Sequence, residues 1–239
     1  MPFVNAQAAR VLIGDYHFSP VLADFSFSAD VDMQDVSTLN DTAKQMLPTL
    51  NASTFSGSGW VDTDGSANAH IDQLGDWVGD ISAPLTWCPS GTTLAAETSM
   101  VLGLEGNFMV GSKVGSVSEW SVSGQNGDRT DFGKSLHALQ ARTTSSQETA
   151  VDNSASSANG GVAHLHVTAF SGFTGVAVIV EHSTDNSSFS TLGSFTSATG
   201  VTSERITIAA GTTVNRYVRA KWTVTGSGSI TFHVAFARR

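Results

Sequence analysis

Strand-length runs in which apolar residues alternate with small polar ones recur along almost all of this 239-residue chain, and that period of two limits its fold most. In residues 22–31, Phe25 and Phe27 stand two apart, so both rings share one strand face. Residues 53–61 place small residues between Phe55 and Trp60. In 117–125, Val117, Glu119, Ser121 and Ser123 fall on one side, and Ser118, Trp120, Val122 and Gly124 on the other. Strand signals also mark 10–14, 98–104, 107–110, 162–168, 175–182, 189–196, 204–208, 216–224 and 229–237. Short strands separated by polar turns such as 184–188 predict a mainly β protein of the sandwich or roll type.

Two short helices are expected to interrupt the strands. The first spans Asn40 to Leu47, with Asn40 or Asp41 as N-cap, Ala43, Met46 and Leu47 as its apolar side, and Pro48 as its stop. The second spans Ser66 to Leu74, with Ala67, Ile71 and Leu74 apolar and Gly75 at its end. Residues 143–160 are dominated by Ser, Thr and Asn, which predicts a linker or extended surface arm. Charge changes across that stretch. Residues 1–145 hold 16 acids and 6 bases, net -10, whereas 146–239 hold 5 acids and 6 bases, net +1. The expected organisation is therefore two domains, 1–145 and 146–239, the second a C-terminal β-sandwich.

Only 14% of the chain is charged, against about 25% in ordinary soluble domains. Such a surface is built from Ser, Thr, Asn and Gly, or is covered by further copies of the chain. An acidic first domain is a poor binder of nucleic acid, because phosphate attraction needs Lys and Arg. It suits a wall past which DNA slides, although acids also serve simple solubility. A lone cysteine, Cys88, permits no intramolecular disulfide and reads as a buried, inert thiol. The start lacks a signal pattern, and no apolar run approaches membrane-spanning length, so cytoplasmic synthesis and no membrane partner are expected.

Motifs for chemistry fall short. Gly106 to Lys113 has the glycines of a phosphate loop, but Lys does not follow the second glycine directly, and the segment reads as a strand. Asp62-Thr63-Asp64-Gly65 opens like a calcium loop without the later carboxylates. Asp24, Asp30, Asp32, Asp35 and Asp41 form a scattered acidic run, read as a solvated strand edge and loop. His164 and His166 share one strand face, as metal ligands do, yet no third ligand accompanies them, and half-exposed positions are expected. No set of nucleophile, base and orienting acid emerges. Catalytic, cofactor-binding and metal residues are all expected to be none, and the protein is read as not an enzyme. Two C-terminal groups hint at binding. Phe170, Phe173, Phe189, Phe195, Tyr217 and Trp222 form either a sugar platform or core. Arg205, Arg216, Arg219, Lys221, Arg238 and Arg239 form a basic set, with Arg219 and Lys221 on one side of a strand, suited to an acidic neighbouring copy.

A family resemblance enters at residues 29–65, with the run ADVDMQDVSTLNDTAKQMLPTLNASTFSGSGWVD, followed by ANAHIDQLGD at 67–76 and VGSVSEWSVSGQ at 114–125. In this order these segments resemble the major tail tube proteins of long-tailed, siphovirus-type bacteriophages. Residues 149–167, 178–196, 215–223 and 230–239 resemble a β-sandwich block appended to some of them. The resemblance implies a structural virion protein: hexameric rings stacked into a hollow tube through which DNA is ejected without specific binding. It also implies a tape-measure protein in the channel, tail terminator and tail tip proteins at the ends, a place in the virion's tail, and outer decoration by the second domain. The loop around 31–40 is expected to reach the next ring. A carbohydrate-binding adhesin or surface-decoration protein of a virion is the alternative.

Overall fold

A computed structural model describes residues 6–61, 74–80, 82–126 and 128–239. Its strands, in chain order, are β1 (Arg10–Ile13), β2 (Tyr16–His17), β3 (Leu22–Asp35), β4 (Met46–Trp60), β5 (Pro84–Cys88), β6 (Glu97–Gly111) and β7 (Glu119–Asn126). They continue as β8 (Asp131–Arg142), β9 (Ser146–Gln147), β10 (Val151–Asp152), β11 (Gly161–Ser183), β12 (Ser190–Ser194), β13 (Thr202–Ile208) and β14 (Tyr217–Arg238). The fold is mainly β with two antiparallel sheets, as the alternation requires. Helix among the described residues is limited to a 3-10 turn at Ala6–Ala8 and to 74–76.

The chain divides into two compact units. Unit 1 comprises Met1–Pro20, Ala83–Met100 and Asp131–Arg239, and unit 2 comprises Val21–Ser82 and Val101–Thr130. The expected boundary at 145 does not coincide with this division, because β8 pairs with β14 and so joins the C-terminal strands. By these boundaries unit 2 has 13 acids and 3 bases, net -10, and unit 1 has 8 acids and 9 bases, net +1. The charge asymmetry read from the sequence therefore belongs to unit 2.

Unit 1 is ordered β12-β11-β14-β8-β6-β5-β1-β2, with β9 and β10 added to β14, and β13 to β11. The long β11 and β14 pair from Gly161↔Arg238 to Ser183↔Tyr217. Register shifts between Val167 and Ala169 and between Ser171 and Phe173 mark bulges, which let a strand bend and serve a wrapped sheet. Alternate residues of these strands, including Leu165, Val178, Trp222, Phe232 and Val234, fill the core. Residues 143–160 are not a free linker. Ser146 and Gln147 pair with Trp222 and Lys221, Val151 and Asp152 pair with Val218 and Tyr217, and Trp222 Nε1 donates to the Thr144 carbonyl at 2.8 Å. A segment poor in apolar residues is held here by backbone bonding, which composition does not report.

Unit 2 contains a four-stranded antiparallel sheet ordered β3-β4-β7-β6, using the second half of β6. One side of it buries Phe55, Trp120 and Val122, and Leu74 and Val101 of the same unit are also buried. Gly59 is required beside that core: a Cβ there would lie 2.0 Å from the Val21 carbonyl oxygen and 2.7 Å from the Trp120 ring.

Candidate assembly surface

The pleat gives the unit 2 sheet two unlike faces. Register puts Phe25, Phe27, Val31 and Met33 of β3 on the same side as Phe55, Pro48 and Met46 of β4. The opposite side carries Asp24, Ser26, Ser28, Asp30 and Asp32 from β3, Thr54, Ser56 and Ser58 from β4, Ser121, Ser123 and Gln125 from β7, and Asn107 with the exposed Met109 from β6. These side chains are exposed or half-buried, and none of them is Lys or Arg. Ser26 and Ser56 hydroxyls meet at 2.7 Å across the strands. A shallow concavity of about 500 Å³ runs over Ser26, Ser56, Asn107 and Ser123. Hydroxyls and carboxylates without bases present hydrogen-bonding groups to water and no attraction to phosphate.

The sheet's apolar side outruns its cover. β4 pairs with β7 only from Thr54 to Trp60, so residues 46–53 pair with β3 alone. This two-stranded arm reaches about 23 Å past the sheet at 3.3 Å per residue for 29–35. Along it Val31, Met33 (52% exposed) and Met46 face solvent on that side, Leu47 is exposed on the other, Leu50 is exposed as well, and Leu39 at the tip is fully exposed. Burying each such side chain is worth about 1.5–3 kcal/mol. An isolated two-stranded ribbon is marginal in water, so this arm is built to be covered.

The arm also corrects the first expected helix. Residues 40–45 form a turn and Met46 begins β4. Asp41 caps nothing helical: its carboxylate accepts from the Thr38 amide at 2.6 Å and the Thr38 hydroxyl at 3.1 Å. Val36 N–H donates to Gln45 O at 2.9 Å and Gln45 N–H to Ser37 Oγ at 2.8 Å, closing the hairpin. Met46, Leu47 and Pro48 are drawn into pairing with Asp35, Gln34 and Met33. Pro48 is tolerated because that part of β4 has one partner strand. For the same reason 31–35 is strand rather than loop. The second expected helix lies outside the described residues except at 74, where Leu74 is buried, and Asp62, Asp64 and Gly65 lie outside them too.

At the other end of the sheet the β6–β7 turn, residues 112–118, is fastened by a 2.7 Å contact between the Ser112 and Ser118 hydroxyls. Beneath it, on the side of Ser58 and Ser121, is a concavity of about 400 Å³ that these two line together with Met109, Lys113, Val117 and Glu119. Met109, Val114 and Val117 are exposed there, as is Trp60 at the end of β4. Gly106 to Lys113, which echoed a phosphate loop, is the end of β6 and the start of this turn.

The other candidate residues resolve inside unit 1. His164 and His166 are fully buried, not half-exposed, together with His137 and His233. Carbonyl partners set their tautomers. His166 Nδ1 donates to Gly14 O at 2.6 Å, so its Nε2 accepts from the Thr86 hydroxyl at 2.7 Å. Thr86 Oγ1 then accepts from His164 Nδ1 at 3.0 Å. Ser135 donates to the Thr92 carbonyl at 2.8 Å and accepts from His233 Nε2 at 3.0 Å. His137 Nδ1 donates to Phe232 O, and its Nε2 accepts from Arg142 Nε at 3.0 Å. That nitrogen bears no proton, so its 3.6 Å approach to Glu148 is not an ion pair; the 2.6 Å Arg142–Glu148 contact is. Burial holds all four imidazoles below their ordinary range, His166 at about 4 and His137 at about 3. Among the described residues no group of three or more His, Cys, Asp or Glu is placed to hold a metal ion.

The basic set finds its acids within the chain. Arg219 and Lys221 both reach Glu181, at 2.7 and 3.2 Å, rather than facing outward for a neighbour. Arg205 and Arg239 converge on buried Asp131 at 3.0 and 2.9 Å, and Arg216 pairs with Asp152 at 2.6 Å. Arg238 spends its guanidinium on the carbonyls of Ala155, Val214, Asn215 and Arg216. Of the aromatics, Phe173, Phe195 and Trp222 are core, Phe170 packs on it, and Phe189 lies under the Arg219 guanidinium at 3.6 Å. Cys88 is buried, with its thiol pushed up to about 12 by burial.

No family model and no curated protein matches the sequence. Solved structures similar to it include a chain of the virion of a native gene transfer agent particle, at 9% identity and TM-score 0.42, covering 54% of this chain and 97% of that one. The Dit protein (gp 19.1) of phage SPP1 is similar at 12% identity and TM-score 0.37, over 96% and 99% of the two chains. The SPP1 tail tube is similar at 8% identity and TM-score 0.41, over 53% and 80%.

Proposed function

We propose that this chain is a tail tube protein of a long-tailed bacteriophage, a structural component of the virion. Copies join side by side through the free edges of the unit 2 sheet, β3 of one copy against β6 of the next, into six-membered rings. The rings stack into a hollow tube, and the Ser- and Asp-bearing face lines the channel through which DNA leaves the capsid. The observation that supports this most is the sheet itself: two edges without a partner strand among the described residues, one hydroxyl-rich face whose paired strand positions carry no base, and an apolar arm left uncovered in one copy. Open edges are an aggregation hazard in a monomer and are consumed in a closed ring. A tape-measure protein occupies the channel during assembly, terminator and tip proteins close its ends, and the C-terminal β-sandwich strands decorate the tube.

The test is electron microscopy of the purified full-length protein across concentration and salt. Rings or hollow tubes are expected. A monomer under every condition, together with its absence from purified particles, overturns the reading.

A further inference from the structure

We infer that unit 1 carries an acid-operated latch: protons entering the buried seam between β11 and the strands β1, β2 and β5 let those N-terminal strands swing away while the core between β11 and β14 stays closed. The latch is independent of the tube reading.

A directed line of hydrogen bonds closes the seam. His164 Nδ1 donates to Thr86 Oγ1, Thr86 Oγ1 donates to His166 Nε2, and His166 Nδ1 donates to the Gly14 carbonyl. Thr86 belongs to β5 and Gly14 to the turn between β1 and β2, so one line fastens both to β11. Every hydrogen in it is used and all point one way. A proton added to His166 Nε2 faces the Thr86 hydroxyl hydrogen, which then loses its acceptor. A proton added to His164 Nε2, a buried atom without a hydrogen-bond partner, makes a cation with nothing to receive it. Either event breaks the line at the seam.

The surroundings give a cation no relief. β14 sets His233 opposite His166, and β13 sets Arg205 opposite His164. β2 adds His17 with Arg10 beside it, and β8 adds His137 with Arg142. Asp131, the acid that Arg205 holds, is shared with Arg239. Asp15, next to Gly14, makes no hydrogen bond to either ring among the described residues. The closed seam therefore refuses protons that the opened strands accept near pH 6.5. It is fully stable above that pH, and opening gains up to about tenfold per histidine for each pH unit as pH falls toward 4. The rest of unit 1 is held differently. Its core cluster draws its buried apolar members from residues 136–236, and Val11, Leu12, Ile13, Phe18 and Leu85, although buried, are not among them. The β11–β14 ladder from Gly161↔Arg238 to Ser183↔Tyr217 ties that core together, so the N-terminal strands are the part that gives first.

Cys88, the one cysteine of the chain, is buried on β5 and reports the opening directly. Dithiodipyridine, which reacts with thiols in acid as well as at neutrality, is added to the full-length protein at pH 7.5 and 5.0, with the urea-unfolded chain as reference for intrinsic reactivity. Protection of Cys88 should fall about tenfold or more at pH 5.0. A Cys88→Ala, Val178→Cys variant carries its thiol in the β11–β14 core, and that thiol should stay protected at both pH values. His164→Gln with His166→Gln supplies amides that donate and accept without titrating, so Cys88 protection should then hardly change with pH. Cys88 equally protected at the two pH values overturns the latch. So does a Val178→Cys thiol exposed in step with Cys88, which is general unfolding, and so does a folded glutamine variant that still opens in acid. The first two readings keep the histidines intact and decide the matter even where the glutamine variant fails to fold.

Discussion

The Nδ1 atom of His166 lies 2.6 Å from the backbone carbonyl oxygen of Gly14, a contact that bridges 152 residues of sequence inside unit 1. It fixes the proton on Nδ1 and, through Thr86, leaves His164 Nε2 as a buried nitrogen without a hydrogen-bond partner. His233 Nδ1 is in the same condition.

Acid should therefore loosen unit 1. An unfolded histidine takes up a proton near pH 6.5, whereas folded His166 holds out to about 4 and His164 and His233 fall well below 6.5. The unfolded state binds more protons in that window, so stability is complete above about pH 6.5 and is lost as pH falls toward 4. Facing the cluster are His17, itself lowered to about 4 by burial and by Arg10, and the cations Arg142 and Arg205, all of which oppose further positive charge. Melting followed by circular dichroism at pH 7.5 and 5.0 should show a lower Tm at pH 5.0. An unchanged Tm refutes the role of the network.

Thr86→Val keeps the shape and deletes the hydroxyl that serves two imidazoles. Unsatisfied buried groups cost about 1–3 kcal/mol each, so for the two imidazole nitrogens a loss of about 2–6 kcal/mol is expected by urea unfolding. Thr86→Ser should recover most of it.

Gly59→Ala forces a methyl group against the Val21 carbonyl and the Trp120 indole. Overpacking of this kind costs about 1–3 kcal/mol or more. Altered tryptophan fluorescence and a lower melting temperature are the expected readouts; a Tm equal to the parent's would show that the strands part at no cost.

Val31→Ser with Met33→Ser leaves the arm's pairing in place and removes apolar surface that a single copy leaves about half exposed. Assembly should weaken while the Tm stays within a degree or two of the parent, a separation read by sedimentation and melting on one sample. This pair is more informative than deleting 31–40, which would also strip β4 of its partner strand.

Ser56→Lys with Ser123→Lys puts two cations on the face assigned to the channel. Tubes should still form, and they should retain duplex DNA at low salt and release it as salt rises, as counterion release requires. Equal DNA retention by parent and variant tubes would place that face elsewhere.

Most of the β architecture was legible because alternation is local. Trp120 and Val122 fall on the buried side and Ser123 on the exposed side, as the pattern of 117–125 dictates. The helix expected at Asn40–Leu47 failed because helical spacing of Ala43, Met46 and Leu47 is equally met by a tight turn feeding a strand. What decided between them was the pairing of Met46 with Asp35, a partner eleven residues away. The partners of Arg219 and Lys221 were hidden for a similar reason: Glu181 stands opposite Arg219 only once β11 and β14 are in register. Of the assembly surface, the acidic run at Asp24 to Asp41 was visible, but its division into an acid face and an apolar face depends on the β3–β4 register.

The backbone passes from one unit to the other four times, after Pro20, Ser82, Met100 and Thr130. No single proteolytic cut can release either unit as an intact piece. A gene fragment encoding only 146–239 would strip β8 from the flank of β14 and bare the backbone of Ile230 to Phe236, which β8 otherwise occupies. Such a fragment should aggregate along that strand, so whatever unit 1 does has to be measured on the whole polypeptide.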